Sequence, residues 1–213
     1  THRMTVYCRE GTNWRGRVYN QYYGGGGRRE GLQEESLFVR KTDDSGFIFG
    51  TQIPRHHRQV VADFEYVTPM PNVLYSPGAP LRVQMDRSSL RVDPTGSMQT
   101  VAFQPVGSRY RVFAVVPTVE EQIDELRRAK AEMSGYLYDM HYLEVPREAA
   151  GLKKLSDKII AEKGLDKPYP KAEALMDYLH RNCKYSLLAP RVPPSRDAAE
   201  FFVFESRRGA CDL

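Results

Sequence analysis

The residue best placed to do chemistry is Cys211, which ends the stretch "FFVFESRRGACDL" over residues 201–213. A thiolate is the nucleophilic form of cysteine, and the free N–H groups and dipole at the start of a helix favour it. Gly209 permits the tight turn that such a helix start needs. A nucleophilic thiol also needs a base. His2, His56, His57, His141 and His180 all precede Cys211, and only Asp212 and Leu213 follow it.

Other chemically capable residues carry plainer explanations. His180 and Cys183 stand three apart on an expected helix, but Cys183 shares a face with Leu175, Met176 and Leu179. It therefore reads as a small buried hydrophobe, and such thiols react poorly. His56-His57 lacks the further His or Cys partners that zinc needs, so an exposed loop before a strand is expected. "GGGG" at 24–27 is followed by neither a lysine-serine pair nor an immediate helix start, so it reads as a hairpin tip rather than a phosphate cradle. The cysteine count of 3 leaves at least one free thiol, and whether Cys8 and Cys183 pair stays open.

Composition sets the frame. Hydrophobic content of 41% and charged content of 27% are those of a globular chain with a real core. The net charge of +4 comes mostly from scattered arginines, including Arg28-Arg29, Arg127-Arg128 and Arg207-Arg208, and reads as solvated surface charge rather than the clustered basic face of a nucleic-acid binder. No apolar run approaches the roughly 18 residues of a membrane helix. "THRMTVYCRE" lacks the apolar core of a signal peptide, and its first residue is Thr, so a piece of a longer protein is expected.

The elements that must position Cys211 change character near Pro117. Before it, β-type runs alternate with turn residues: 14–23, 45–53, "RQVVADFEYVT", "NVLYS", "PLRVQM", "MQTVAFQPV" and "SRYRVFAVV". In the last, Tyr110, Val112, Ala114 and Val116 face one way while Arg109, Arg111 and Phe113 face the other, the period of a half-buried strand. Trp14 belongs in that core. An α+β fold follows, with an antiparallel β-sandwich-like domain over 1–117 and an α-rich segment over 118–213. Thr118 and Glu121 form a capping box for a helix carrying Ile123, Leu126 and Met133. A second helix covers about 147–163, with Leu152, Leu155 and Ile159 on one face and Gly164 at its end. A third begins at Pro170 and turns Ala172, Leu175, Met176, Leu179 and Cys183 inward. "KYSLLAPRVPPS" is extended, and Asp197 caps a short helical turn before the cysteine.

The segment from Tyr142-Leu143 and Pro146 onward resembles the bacterial transglutaminase-like superfamily. Within it, the segment is most similar to the membrane-anchored, TgpA-type proteins. The likeness rests on Pro168-Tyr169, Lys171-Ala172, Leu179, Tyr185-Ser186-Leu187, Pro193-Pro194 and Asp197. Its most specific part is the run from Phe202 through Glu205, Arg207, Arg208 and Gly209 to Cys211 and Asp212. "WRGRVYNQY" resembles the "WRG-x-x-Y-D" element of the family's β-rich segment that precedes the enzyme domain. The resemblance implies that 118–213 is the leading half of a transglutaminase-like, papain-like domain. It puts Cys211 at the nucleophile position of a Cys-His-Asp triad, with Glu205, Arg207, Arg208 and Gly209 as supporting motif. It also implies that the His and Asp come from strands beyond Cys211, so the chain is expected to be truncated after the nucleophile and inactive alone. No metal or cofactor is expected. The implied partners are a protein or peptide substrate and, through flanking segments outside this chain, the bacterial membrane on its extracytoplasmic side; nucleic acid is not among them. Two rivals stand beside this reading: a non-catalytic extracytoplasmic binding or scaffold domain, and a cysteine protease. A His and an Asp downstream would favour an enzyme, and competing amine and water would separate transamidation from hydrolysis.

Overall fold

The computed structural model describes residues 3–10, 13–18, 21–24, 27–29, 37–40, 46–93, 95–130 and 145–209. The fold mixes helices with antiparallel sheets and divides into two compact units, residues 1–18 with 32–122 and residues 19–31 with 123–213. Residues 19–31, which precede most of the β-rich stretch in sequence, group with the second unit. Among the described residues, no helix is long and apolar enough to cross a membrane.

The first unit holds a five-stranded and a four-stranded sheet. The five-stranded sheet runs in the order β1 (Met4–Cys8), β6 (His57–Tyr66), β11 (Arg109–Pro117), β8 (Ala79–Met85) and β5 (Phe47–Ile48). The other is ordered β4 (Leu37–Arg40), β9 (Ser89–Val92), β10 (Met98–Gln99) and β7 (Val73–Leu74). Strand β11 shows the alternation expected of it. Tyr110, Val112 and Ala114 are buried while Arg109 and Arg111 are exposed, because successive side chains leave a pleated strand on opposite faces; Phe113 is half-buried, and at the strand's end Val115 is buried as well as Val116.

One core draws on both sheets. Phe64, Val83 and Val112 of the larger and Leu74, Leu90 and Met98 of the smaller belong to the same buried cluster. Phe64 stacks on Tyr110 with ring centroids 4.7 Å apart, and Trp14 meets Phe64 edge-on at 5.5 Å. The buried hydroxyls find partners, as burial demands. Tyr66 donates to the Val73 carbonyl at 3.1 Å, and Tyr110 accepts from the Tyr75 N–H at 2.8 Å. On the outer face Arg109 pairs with Glu65 and Arg111 with Asp63, each directly opposite in register. In the run 14–23, Arg15 makes an isolated bridge to Ser76 and residues 21–23 are strand, while Tyr19 and Asn20 lie outside the described residues.

Helix α1 (Val119–Arg128) follows β11. At its start, Thr118 Oγ1 donates to the His56 carbonyl at 2.9 Å; the Glu121 side chain of the expected capping box lies outside the described residues. Met133 lies outside them too.

In the second unit a 3₁₀ turn (Arg147–Ala149) leads into α2 (Ala150–Glu162), and Gly164, at φ 60°, ends the helix as expected. Helix α3 (Pro168–Asn182) starts two residues before the expected Pro170, because Pro168 follows an extended Lys167 and occupies the first turn. Its inward face is also rotated from the expected one. Ala174 is buried, with Lys171, Leu175, Tyr178 and Asn182 half-buried, whereas Ala172, Met176 and Leu179 are exposed. Leu175 fits both phases, and the apolar side chains of Met176 and Leu179 had pointed to the wrong one. The glycine stretch is flanked by the antiparallel pair β2 (Gln21–Gly24) and β3 (Gly27–Arg29), consistent with a hairpin; Gly25 and Gly26 lie outside the described residues.

Candidate functional site

The segment that carries the chain toward Cys211 is held at successive points within the second unit. Asp197 is the N-cap of α4 (Ala198–Glu200), where its Oδ1 accepts the Glu200 N–H at 2.9 Å. Its Oδ2 accepts the Tyr22 hydroxyl at 2.7 Å, which ties the hairpin to the helix start. Glu200 reaches back to the first turn of α2, whose own N-cap, Ala149, has no side chain to offer. Glu200 Oε1 accepts from Gly151 N at 2.6 Å and Leu152 N at 3.3 Å. A carboxylate at helix N–H groups gains both hydrogen bonds and a favourable dipole.

After Glu200 the chain winds into a π-helical segment (Phe201–Ser206) that buries Val203. It closes on an Arg207 N–H to Phe202 carbonyl bond of 2.9 Å. Arg207 then adopts φ 49°, ψ 17°, the left-handed region, which costs a non-glycine residue on the order of 1 kcal/mol. From there β13 (Arg208–Gly209) pairs in parallel with β12 (Lys184–Tyr185). Lys184 N donates to Arg207 O at 2.8 Å, and Ser186 N to Gly209 O at 2.7 Å. Ser206 Oγ accepts from Arg208 N and donates to Arg208 O, bracing the turn from inside.

The residues singled out from sequence fall as follows. Glu205, Arg207 and Arg208 are exposed and Gly209 is buried. Glu205 pairs with Arg196 at 2.6 Å. Ala210, Cys211 and Asp212 lie outside the described residues, so the structure describes the approach to the candidate nucleophile and not the thiol itself. Cys183 is the C-cap of α3 rather than part of its inward face, and it is a free thiol, as is Cys8. Burial pushes the Cys183 thiol up, and the nearby Arg207 guanidinium partly opposes this. His180 is exposed in the last turn of α3.

A cleft of about 460 Å³ lies beside this segment, lined by Glu148, Asp197, Glu200, Phe201 and Phe204 among others. Asp197 and Glu200 are committed to the backbone and hydroxyl donors already described. Among the described residues no group of His, Cys, Asp and Glu could hold a metal ion. Three anchors had no signal in the sequence: Tyr22 on Asp197, Glu200 on α2, and the β12–β13 pairing. Only the Asp197 cap was readable locally.

No protein-family model matches the chain, and no curated protein matches it in sequence. Solved structures do. The periplasmic domain of TgpA from Pseudomonas aeruginosa bound to ethylmercury superposes with a TM-score of 0.57 at 17% identity, over 99% of this chain and 67% of that one. A further structure of the TgpA periplasmic domain gives a TM-score of 0.54 at 17% identity, over 98% of this chain and 65% of that one. The chain thus spans about two thirds of the length of those domains and has, over nearly all of its own length, the fold of the TgpA periplasmic domain.

Proposed function

We propose that this chain is the extracytoplasmic part, up to the nucleophile, of a membrane-tethered transglutaminase-like thiol enzyme, with Cys211 as that nucleophile. The observation that carries the reading is the strained, multiply anchored turn at Arg207–Gly209. Left-handed backbone at a non-glycine residue and π-helical windings concentrate at working sites, and this turn delivers the chain to position 211. The shared fold supports the same reading, with the first unit as a β-sandwich and the second as the leading half of a papain-like domain. Glu205, Arg207, Arg208 and Gly209 act by setting the path of the turn rather than by touching substrate.

In the proposed reaction a histidine takes the thiol proton and the sulfur adds to the amide carbon of a glutamine or peptide bond. The tetrahedral adduct collapses as the nitrogen leaves with a proton returned by the imidazole, giving a thioester. Water or an amine then attacks that thioester and releases the sulfur. An aspartate orients the imidazole. Residues 1–213 place no histidine after Cys211, so alone they should not turn over.

The test compares this chain with the full-length protein on a glutamine-containing peptide. Turnover by the full-length protein, lost in Cys211→Ala, with none from residues 1–213, is the expected pattern. Turnover by residues 1–213 that disappears in Cys211→Ala would refute the missing-base reading. In the full-length protein, alkylation of Cys211 against pH should give an apparent pKa below the ordinary thiol value of about 8.5. A full-length protein with neither turnover nor an activated thiol would leave a scaffold as the better reading.

A further inference from the structure

One end of the first unit has a surface chemistry unlike the rest. Residues 67–72 and 100–108, the two loops that meet there, contain no charged residue. Met70 and Gln104 exchange backbone hydrogen bonds of 3.0 Å in both directions, and Thr100 N donates to Asn72 O at 2.8 Å. Gly107 N donates to Tyr66 O at 2.8 Å. Gln104, 1% exposed, braces the turn from within through its amide, which donates to Thr100 Oγ1 and to the Ala102 carbonyl.

What this brace holds outward is apolar: Val101 is 74% exposed, Phe103 71% and Val106 62%. A folded protein gains nothing by presenting three large apolar groups to water on a pre-ordered loop, and such presentation marks a contact surface. The same end of the five-stranded sheet carries a basic rim. Met4 pairs with Tyr66 and Tyr110 with Met85, so Arg3, Arg87 and Arg109 stand around the loops, against Glu65 and Asp86. Arg109 is joined to Glu65, and among the described residues of the rim these three arginines face two carboxylates.

A projecting apolar tip without charge, its anchoring backbone groups already paired, and a basic rim behind it match the layering of a lipid surface. The tip meets the acyl boundary and the arginines reach the phosphates. A socket in a protein partner has no such requirement for a charge-free tip over both loops. We propose that this end of the first unit inserts Val101, Phe103 and Val106 into a bilayer surface containing anionic phospholipid. The proposal goes beyond the thiol reading and does not depend on Cys211.

The test uses the 213-residue chain with phosphatidylcholine vesicles, with and without phosphatidylglycerol. The chain should sediment with the mixed vesicles, and Phe103→Asp should lower its partition coefficient at least about tenfold. Far-UV circular dichroism and Trp14 emission should stay unchanged, since residue 103 is exposed. In Phe103→Trp, emission should shift to the blue on vesicles and be quenched by lipids brominated high on the acyl chain. A chain that stays in the supernatant, whatever protein it then engages, overturns the proposal. So does binding that salt abolishes while the added indole of Phe103→Trp keeps the emission of a water-exposed ring, because that is adsorption through arginines without insertion.

Discussion

Removing the Glu200 carboxylate should loosen the second unit selectively. Its Oε1 serves two N–H groups at the start of α2, a helix without a side-chain cap of its own. A hydrogen bond to a charged group contributes roughly 1.5–3 kcal/mol, and the helix dipole adds about 0.3–1 kcal/mol. Glu200 is only half-buried, so water recovers part of this after truncation, and Glu200→Ala should cost about 2 kcal/mol. Glu200→Gln keeps an acceptor and should cost about half as much. A methyl at Gly151 would sit 2.6 Å from Oε1 and 3.1 Å from Cδ, so Gly151→Ala must displace the same carboxylate. The two changes should therefore be strongly non-additive, the double variant costing little more than Glu200→Ala alone. Urea unfolding read at 222 nm reports mainly helices of the second unit, whereas Trp14 emission reports the first. With a urea slope of roughly 1–3 kcal/mol per molar, the 222 nm midpoint should fall by about 1 M while the Trp14 midpoint holds. A helix-signal midpoint unchanged in Glu200→Ala, or additive effects in the double variant, would refute the reasoning.

Three further expectations concern the core, the backbone and the thiols. Burial raises the Tyr66 pKa to about 12, against about 10 in the unfolded chain. The stabilisation is therefore complete below pH 10 and is lost as pH rises from 10 toward 12. The Trp14 unfolding midpoint should drop over that window by the equivalent of about 2 kcal/mol. Tyr110, raised further by burial, adds to the loss, and Tyr66→Phe should blunt it; a midpoint flat to pH 12 rejects the burial cause. Gly46 holds φ 99°, and a Cβ there would meet the Val83 carbonyl oxygen at 2.3 Å, so Gly46→Ala should destabilise the first unit by about 3 kcal/mol or more in the same assay. Cys183 should alkylate more slowly at neutral pH than an exposed cysteine, and Arg207→Ala should slow it further by removing the favourable charge. A faster reaction in that variant would contradict the assigned cause.

How much of this was legible beforehand depends on how local the information is. The alternation of β11 and the Asp197 cap could be read directly, because one strand face or one helix start decides them. The phase of α3 was misread because Met176 and Leu179 are apolar yet exposed, while the buried position is the small Ala174. Pro170 drew the helix start toward itself although Pro168 already satisfied the rule. The Tyr22–Asp197 bond links positions 175 apart, and no periodicity encodes such a pairing. The left-handed backbone at Arg207 was hidden because Gly209, the residue that advertises freedom, is not the one that uses it.

The grouping of residues 19–31 with the second unit has a bearing on how this protein can be dissected. A gene begun at codon 118 would encode α2, α3 and the Arg207 turn without the tyrosine that grips the Asp197 carboxylate. Trading one unit for a homologue's at a single splice point would strand the same hairpin on the wrong side. The two units are thus interleaved along the polypeptide, and any exchange of modules, in the laboratory or in descent, has to make three joins rather than one.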